Sequence, residues 1–438
     1  MKRSTLYPIF LAGFCLCWLS CTARAALAEV KAGDMLDKNN WEDAGGLLPD
    51  AIVEWVKKGD VAMSVAELKY DPLEYLPAAA ARSGEANKGK FEVNEDDLIV
   101  EKASGKVPEF IEGIPFPESE IRADDPKAGA KIMYNKYYHT YVVGNQLFPF
   151  GTIWLSRDKG FEREVKCEWH QYPMVGFAER QSESNPDGIE RYSLIRVLGP
   201  YDIAGTNILL NRFLGKAMDN TFAYVPAIRR VRQMSPANRS DSFIGCDGCV
   251  DDAWLFDGKV SAFRWKLLEK KEALLPFLSE EVLPLEKEAD GSLLTGKGMK
   301  QIRYGYQDDN GAAAPWMAVN LVWVKRPVYV LEMEPKDPYY NYGVQYLWVD
   351  AQVNMMAVWK VIRDRSGAYW KTVFYSYGAF ATADKAVRLI GGTSMIIVDD
   401  RTDHGTIIRF PEPENQWRYN AHLDRNDYTL GGFRKICK

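Results

Sequence analysis

From Tyr137 onward the chain is a succession of short runs that mix β-branched, aromatic and polar residues, among them TIWLSR, EVKCEWHQY, RYSLIRVL and NTFAYVP. Several alternate as half-buried strands do, and polar turns such as Ser184-Asn185-Pro186-Asp187-Gly188 separate them. Strands joined by short polar turns pair antiparallel. The pattern resumes at Ser261–Leu268, Gln301–Tyr306, Ala318–Lys325, Val328–Glu334, Gln345–Asp350, Asn354–Arg363, Trp370–Tyr377 and Ser394–Asp399. The sequence therefore predicts an α+β fold that is mostly antiparallel sheet, with few helices. Asp50 is placed to cap a helix within Leu47–Val56, and Ala78–Lys90 reads as a helix end running into a loop. Asp125-Pro126 opens a helix through Tyr134 and Asn135. Leu267–Phe277 is expected to hold a turn, and Ser279–Glu288 a short helix interrupted by Pro284.

The start of the chain sets the compartment. Lys2 and Arg3, an apolar run from Ile9 to Leu19 and the small residues at Ala23-Arg24-Ala25 follow the order of a secretory signal peptide, residues 1–25. An alternative is an outer-membrane lipoprotein anchored through Cys21, although Trp18 and Leu19 fit that processing pattern poorly. Residues 26–110 read as a polar helix-and-loop lead and residues 111–438 as the sheet domain. No uninterrupted apolar stretch after the signal is long enough for a membrane span. Removing the signal takes away three basic residues and no acid, moving the net charge from −5 to −8. That balance speaks against a nucleic-acid partner.

Four cysteines remain, Cys167, Cys246, Cys249 and Cys437, and in an exported chain all are disulfide candidates. Two of them fall in Phe222–Phe277, a stretch that also carries Arg229, Arg230 and Arg232 and a dense set of aromatics. If Phe222–Met234 were one strand, Arg230 and Arg232 would share a face with Ile228. The guanidinium fork suits an anionic headgroup or carboxylate, and the bland reading pairs these arginines with Asp251, Asp252 or Asp257. Cys246-Asp247-Gly248-Cys249 has CxxC spacing inside a turn followed by acids, which favours a structural disulfide over a redox or metal site. His139, His170, His404 and His422 lack zinc-like spacing, and no catalytic motif stands in a usable context. Trp254, Phe256, Trp265, Tyr329, Trp348 and Trp359 are either core residues or the lining of an apolar ligand site, and the spacing alone does not divide the two sets.

The run Tyr224-Val225-Pro226-Ala227-Ile228-Arg229-Arg230-Val231-Arg232, with Ser240–Gly245 and Asp251-Asp252, resembles the periplasmic lipoprotein-sorting superfamily (LolA/LolB-like). Within it the chain is most similar to a family catalogued as domain of unknown function 1329. Gly113-Ile114-Pro115-Phe116-Pro117, the segment from Asp125 to Asn135, Phe256-Asp257-Gly258, Phe263-Arg264-Trp265-Lys266-Leu267, Lys271-Glu272 with Pro276, and the run from Trp348 to Trp370 extend the likeness over most of the mature chain. Cys246 and Cys249 depart from the family pattern, which favours an added staple. The resemblance implies a strongly curved, incomplete β-barrel with helices over its concave face and an apolar ligand inside. The resulting expectation is an exported periplasmic carrier or chaperone of lipid or another hydrophobic molecule, serving an outer-membrane or export system, with no cofactor and no catalysis. In this expectation the three arginines orient a headgroup or a partner protein. The alternatives are an envelope docking protein without a ligand and a metal-dependent envelope hydrolase.

Overall fold

The structure, a computed structural model, describes residues 29–308, 311, 313–352, 356–410 and 416–437. The expected signal peptide of residues 1–25 and the alternative anchor Cys21 lie outside the described residues. The main strands, in chain order, are β1 (Gln146–Ser156), β2 (Gly160–Pro173), β3 (Ile189–Gly199), β4 (Asn207–Phe213), β5 (Asn220–Val225), β6 (Arg230–Met234) and β7 (Phe263–Phe277). They continue with β8 (Val322–Pro335), β9 (Gln345–Asp350), β10 (Ala357–Arg363), β11 (Tyr369–Ala381), β12 (Arg388–Asp399) and β13 (His404–Arg409).

Antiparallel pairing runs through these strands in the spatial order 6-5-4-3-2-1-13-12-11-10-9-8-7. Two meanders, β1–β6 and β7–β13, thus join where β13 pairs with β1, for example Gly405 opposite Leu155. Among the described residues β6 and β7 do not pair with each other, so the strongly curved sheet stays an open barrel with these two as its edges. The tip of β7 also meets β11, where Phe277 lies beside Tyr377 in a short parallel contact.

Among the described residues four helices dress the sheet: α1 (Asp50–Lys58), α2 (Ala78–Asn87), α3 (Ala128–Tyr141) and α4 (Leu430–Ile436). Asp50 is the first helical residue of α1 rather than its cap, and the helix ends on Gly59, whose positive φ of 82° lets its N–H reach back to Trp55 and Val56. The apolar face of α1 packs on the outside of the sheet, with the Trp55 ring 6.4 Å from Phe374 and its Nε1 donating to Asp400 at 2.8 Å. The described part of the lead, residues 29–110, thus shares the main core, to which Ile52, Trp55, Val56 and Phe91 contribute. A smaller core under α4, with Leu194, Leu209 and Phe433, covers the outer side of β2–β4.

Four expectations are corrected. The segment from Tyr137 to Tyr141 continues α3 instead of starting a strand. Tyr134, Tyr137, Tyr138 and Tyr141 are buried around the helix, and that burial outweighs the strand preference of aromatics. Residues 263–277 form one long strand with no turn, bulged near Leu268, and Ser279–Glu288 supplies two short strand pieces rather than a helix. Gln301–Tyr306 forms no strand; Tyr304 makes a single bridge to Ala318.

Candidate functional site

The two sheet edges dictate what the segment between them must do. β6 leaves one edge at Met234 and β7 begins at the other at Phe263, so residues 235–262 cross the concave side of the open barrel. This crossover forms only short 3-10 turns, too few backbone bonds to hold itself in place. Buried charge holds it instead. Arg191 of β3 donates to both carboxylate oxygens of Asp257 at 2.6 and 2.7 Å, and Arg212 of β4 to Asp219 at 3.0 Å and to the Asp257 carbonyl at 2.6 Å. Arg239 joins Asp219, at 3.1 Å, to Asp251. Lys360 of β10 meets Asp252 at 2.7 Å, and the Tyr342 hydroxyl donates to the same carboxylate at 2.8 Å. Burial alone would raise the Asp252 and Asp219 carboxyls. Lys360 at the first and Arg212 with Arg239 at the second outweigh it and hold both below the usual carboxylate range.

The clamped crossover carries Trp254 into the cup. Its backbone is left-handed, φ 52°, as is that of Leu255, φ 64°, a conformation that costs about 1–3 kcal/mol per residue outside glycine. The indole sits among rings from opposite strands: Phe148 at 5.3 Å, Trp169 at 5.5 Å, Tyr375 at 5.6 Å and Phe410 stacked at 5.9 Å. Its Nε1 has no hydrogen-bond partner among the described residues.

Trp254 borders two cavities of about 70 Å³ each. The first is lined by Trp169, Ile195, Ile208, Leu210, Met395 and Ile408 together with the crossover. These side chains share one face by register: Trp169 stands opposite Ile195, which stands opposite Ile208, and Met395 faces Ile408. The second lies under α3, whose Lys136, His139 and Thr140 share one helical face, with Val143 just past the helix end, across from Tyr377, Leu389 and Ile390.

Of the aromatics singled out from sequence, Trp254 lines both cavities and the others sit elsewhere. Phe256 packs edge to face on Phe263 at 5.1 Å and on Trp265 at 5.0 Å beneath α3. Trp359 stacks on Trp323 at 5.6 Å and donates to the Leu274 carbonyl at 3.1 Å, and Tyr329 is buried beside Lys270. Trp348 faces an open groove of about 650 Å³ between α1 and the outer side of β8–β10, with the Lys271 ammonium 4.3 Å above its ring.

Phe222–Met234 is a hairpin, not one strand, because Pro226–Ile228 turns the chain and Arg229 takes a left-handed φ of 47°. Arg229, Arg230 and Arg232 are exposed on the edge hairpin, line neither cavity, and have no ion-pair partner among the described residues. The acids offered to them as partners, Asp251, Asp252 and Asp257, belong to Arg239, Lys360 and Arg191.

The disulfide expectation is also corrected: Cys167, Cys246, Cys249 and Cys437 are all free and buried. Within the turn the two side chains face different neighbours. Cys246 donates to the Gly248 carbonyl at 3.3 Å and lies near Cys167, while Cys249 lies by Asp252 and Tyr342. Burial pushes the Cys246 and Cys167 thiols up to about 12, the reverse of a redox cysteine.

What the CxxC turn does instead is dock on β13. The Asp247 carboxylate accepts from Thr406 at 2.6 Å and lies 2.7 Å from His404 Nδ1. That hydrogen bond raises the His404 pKa, against the opposing pull of burial. A raised native value means stability that is complete below the unfolded pKa of about 6.5 and is lost as pH rises through the native one. His404→Gln is expected to remove this slope: between pH 5.5 and 8.5 the urea midpoint of the wild type should fall relative to that of the variant. Parallel curves would contradict the assignment.

The other histidines are dispersed. His139 is buried in α3, His170 bridges Glu168 and Tyr428, and His422 is exposed beside Asp290. Among the described residues no three His, Cys, Asp or Glu side chains converge as a metal site would require, and no helix is long and apolar enough to cross a membrane.

The cup lining was mostly missed from sequence. Trp169, Ile195, Ile208, Leu210, Met395 and Ile408 read as ordinary alternating strand residues. Lys136 and His139, polar groups three apart in a helix buried on nearly every side, carried the one usable signal.

Solved structures similar to the chain include a domain assigned to outer membrane lipoprotein sorting from Vibrio parahaemolyticus, at 18% identity over 72% of this chain and 100% of that one, TM-score 0.47. A DUF1329 family protein from Desulfovibrio piger ATCC 29098 matches at 18% identity over 70% and 98%, TM-score 0.45. A LolA superfamily protein from Nitrosomonas europaea matches at 13% identity over 69% and 98%, TM-score 0.39. No curated protein matches the chain. The model of the family described as "Protein of unknown function (DUF1329)" matches residues 35–434, nearly the whole sequence, and the chain belongs to that family.

Proposed function

We propose that the cup binds a lipid or another apolar small molecule, and that the protein is an exported carrier or chaperone working in the periplasm. One observation carries this reading: two small, mostly apolar cavities meet at Trp254, a residue held in a strained backbone with an unpaired N–H. Each cavity is far below the roughly 300–1,000 Å³ of a typical ligand site. The ligand therefore takes the place of the indole, and displacing Trp254 joins the two spaces. Affinity would come from apolar burial at about 0.8 kcal/mol per methylene. Export rests on the signal-like residues 1–25. No group in the cup is asked to do chemistry, so the reading is of a binder and not an enzyme.

Ala253, which borders the first cavity, is the place to block it. Ala253→Phe is expected to weaken uptake of a neutral fluorescent hydrophobe such as 1-aminoanthracene at least tenfold. The triple change of Arg229, Arg230 and Arg232 to Ser should leave it within twofold, since these side chains lie outside the cup. Uptake lost in the triple variant and kept in Ala253→Phe would place the ligand elsewhere.

The outer groove at Trp348 favours a second reading, docking of an outer-membrane or export-system protein there. Trp348→Ala would then abolish recovery of that partner from envelope extracts without changing uptake of the hydrophobe. Partner recovery unaffected by Trp348→Ala would remove this reading.

A further inference from the structure

The buried charges behind the cup do not balance. Arg191, Arg212, Arg239 and Lys360 are matched by Asp257, Asp219, Asp251 and Asp252. Lys136 is a fifth buried cation, 7% exposed, and among the described residues no carboxylate lies within ion-pair distance of it. Its ammonium donates to the Phe256 carbonyl at 2.5 Å, which leaves two of its three N–H donors for other partners. It also borders the second cavity. One helical turn on, His139 borders the same cavity, also 7% exposed, and its Nδ1 has no partner among the described residues. Burial, with Arg191, Arg212 and Lys360 adding to it, outweighs the opposing pull of Asp257 and lowers the Lys136 pKa to about 7, and burial alone lowers that of His139 to about 3. The first shift fits an ammonium buried with no carboxylate in contact, the second a neutral imidazole shut away from water. The walls around them, Trp254, Tyr377, Leu389 and Ile390, are apolar or aromatic.

We propose that the second cavity holds the carboxylate of a long-chain fatty acid or similar amphiphile, with Lys136 as its counter-ion, His139 Nδ1–H as a donor, and the hydrocarbon passing Trp254 into the first cavity. This assignment rests on reading the cup as an apolar-ligand site and names the chemistry of the ligand's polar end. A single negative charge fits better than a phosphate, which would call for more donors than one ammonium and one imidazole, and usually for an arginine fork. Arg191 and Arg212, the nearest forks, are committed to Asp257 and Asp219. A cationic headgroup would add to a surplus already positive.

The test compares palmitic acid with methyl palmitate, equal in chain length and differing in charge, by displacement of 1-aminoanthracene at pH 6.5, where Lys136 is protonated and the acid ionised. The wild type is expected to bind the acid at least tenfold more tightly than the ester. Lys136→Met should bring that ratio near one, and His139→Leu should lower it by a smaller factor. The ratio is read only on variants whose circular dichroism melt shows a folded protein, and His139→Leu carries the test if Lys136→Met does not fold. An acid-to-ester ratio near one in the wild type, or one unchanged in the folded variants, overturns the carboxylate site and leaves the carrier reading standing. Failure of 1-aminoanthracene and both palmitates to bind would overturn the carrier reading itself, and the carboxylate site with it.

Discussion

Asp252→Ala is expected to lower the free energy of unfolding by about 3–5 kcal/mol, the range for removing one partner of a fully buried ion pair. Asp252 and Lys360 are both 0% exposed, and the carboxylate also accepts from Tyr342 and from the Cys249 backbone N–H at 2.8 Å each. The alanine leaves the Lys360 ammonium without a counter-ion and frees the middle of the crossover. Adding Lys360→Met to Asp252→Ala should therefore recover part of the loss, because the unpaired charge then leaves as well. The native carboxyl is held low, so its contribution is present above the unfolded value of about pH 3.9 and is lost as pH falls through the native one. Urea midpoints of the two single variants and the double variant check this. Losses that simply add would show that the pair is not coupled.

Trp254→Gly is expected to move stability and binding in opposite directions. Loss of the packed indole costs about 3 kcal/mol, partly offset because glycine occupies φ 52° without strain. In the wild type the ligand must first displace the ring, and that step lowers the apparent affinity by the fraction of molecules already open. Removing the ring removes the step. The variant should bind a neutral hydrophobe about tenfold more tightly while melting at lower temperature. A variant that binds tenfold more weakly would make Trp254 a wall of the site rather than its occupant.

Much of the sheet could be read from the chain because its strands alternate and its turns are polar. Thr152–Arg157, Arg191–Leu198 and Gln345–Asp350 are strands where the alternation put them, apart from terminal residues. Alternation marks two faces without saying which one is concave. Leu194 and Leu209 went to the α4 side while Ile195 and Ile208 went to the cup, a choice made by curvature and by pairing between residues as distant as Leu155 and Gly405. The same limit explains the crossover. Its acids looked like partners for Arg229, Arg230 and Arg232 because those lie near in sequence, whereas folding brought Arg191 and Lys360 to them from strands far along the chain. Cys246-x-x-Cys249 suggested a staple by its spacing, its turn residues and the acids that follow. In the fold its Asp247 does the fastening, through Thr406 and His404.

The most direct measurement is to extract the native protein, purified from its own envelope without detergent, and identify by mass spectrometry what leaves with it. The cup reading predicts an amphiphile with a long hydrocarbon chain, close to one per protein and depleted in Ala253→Phe. A protein that yields no apolar molecule and takes up no 1-aminoanthracene would contradict it.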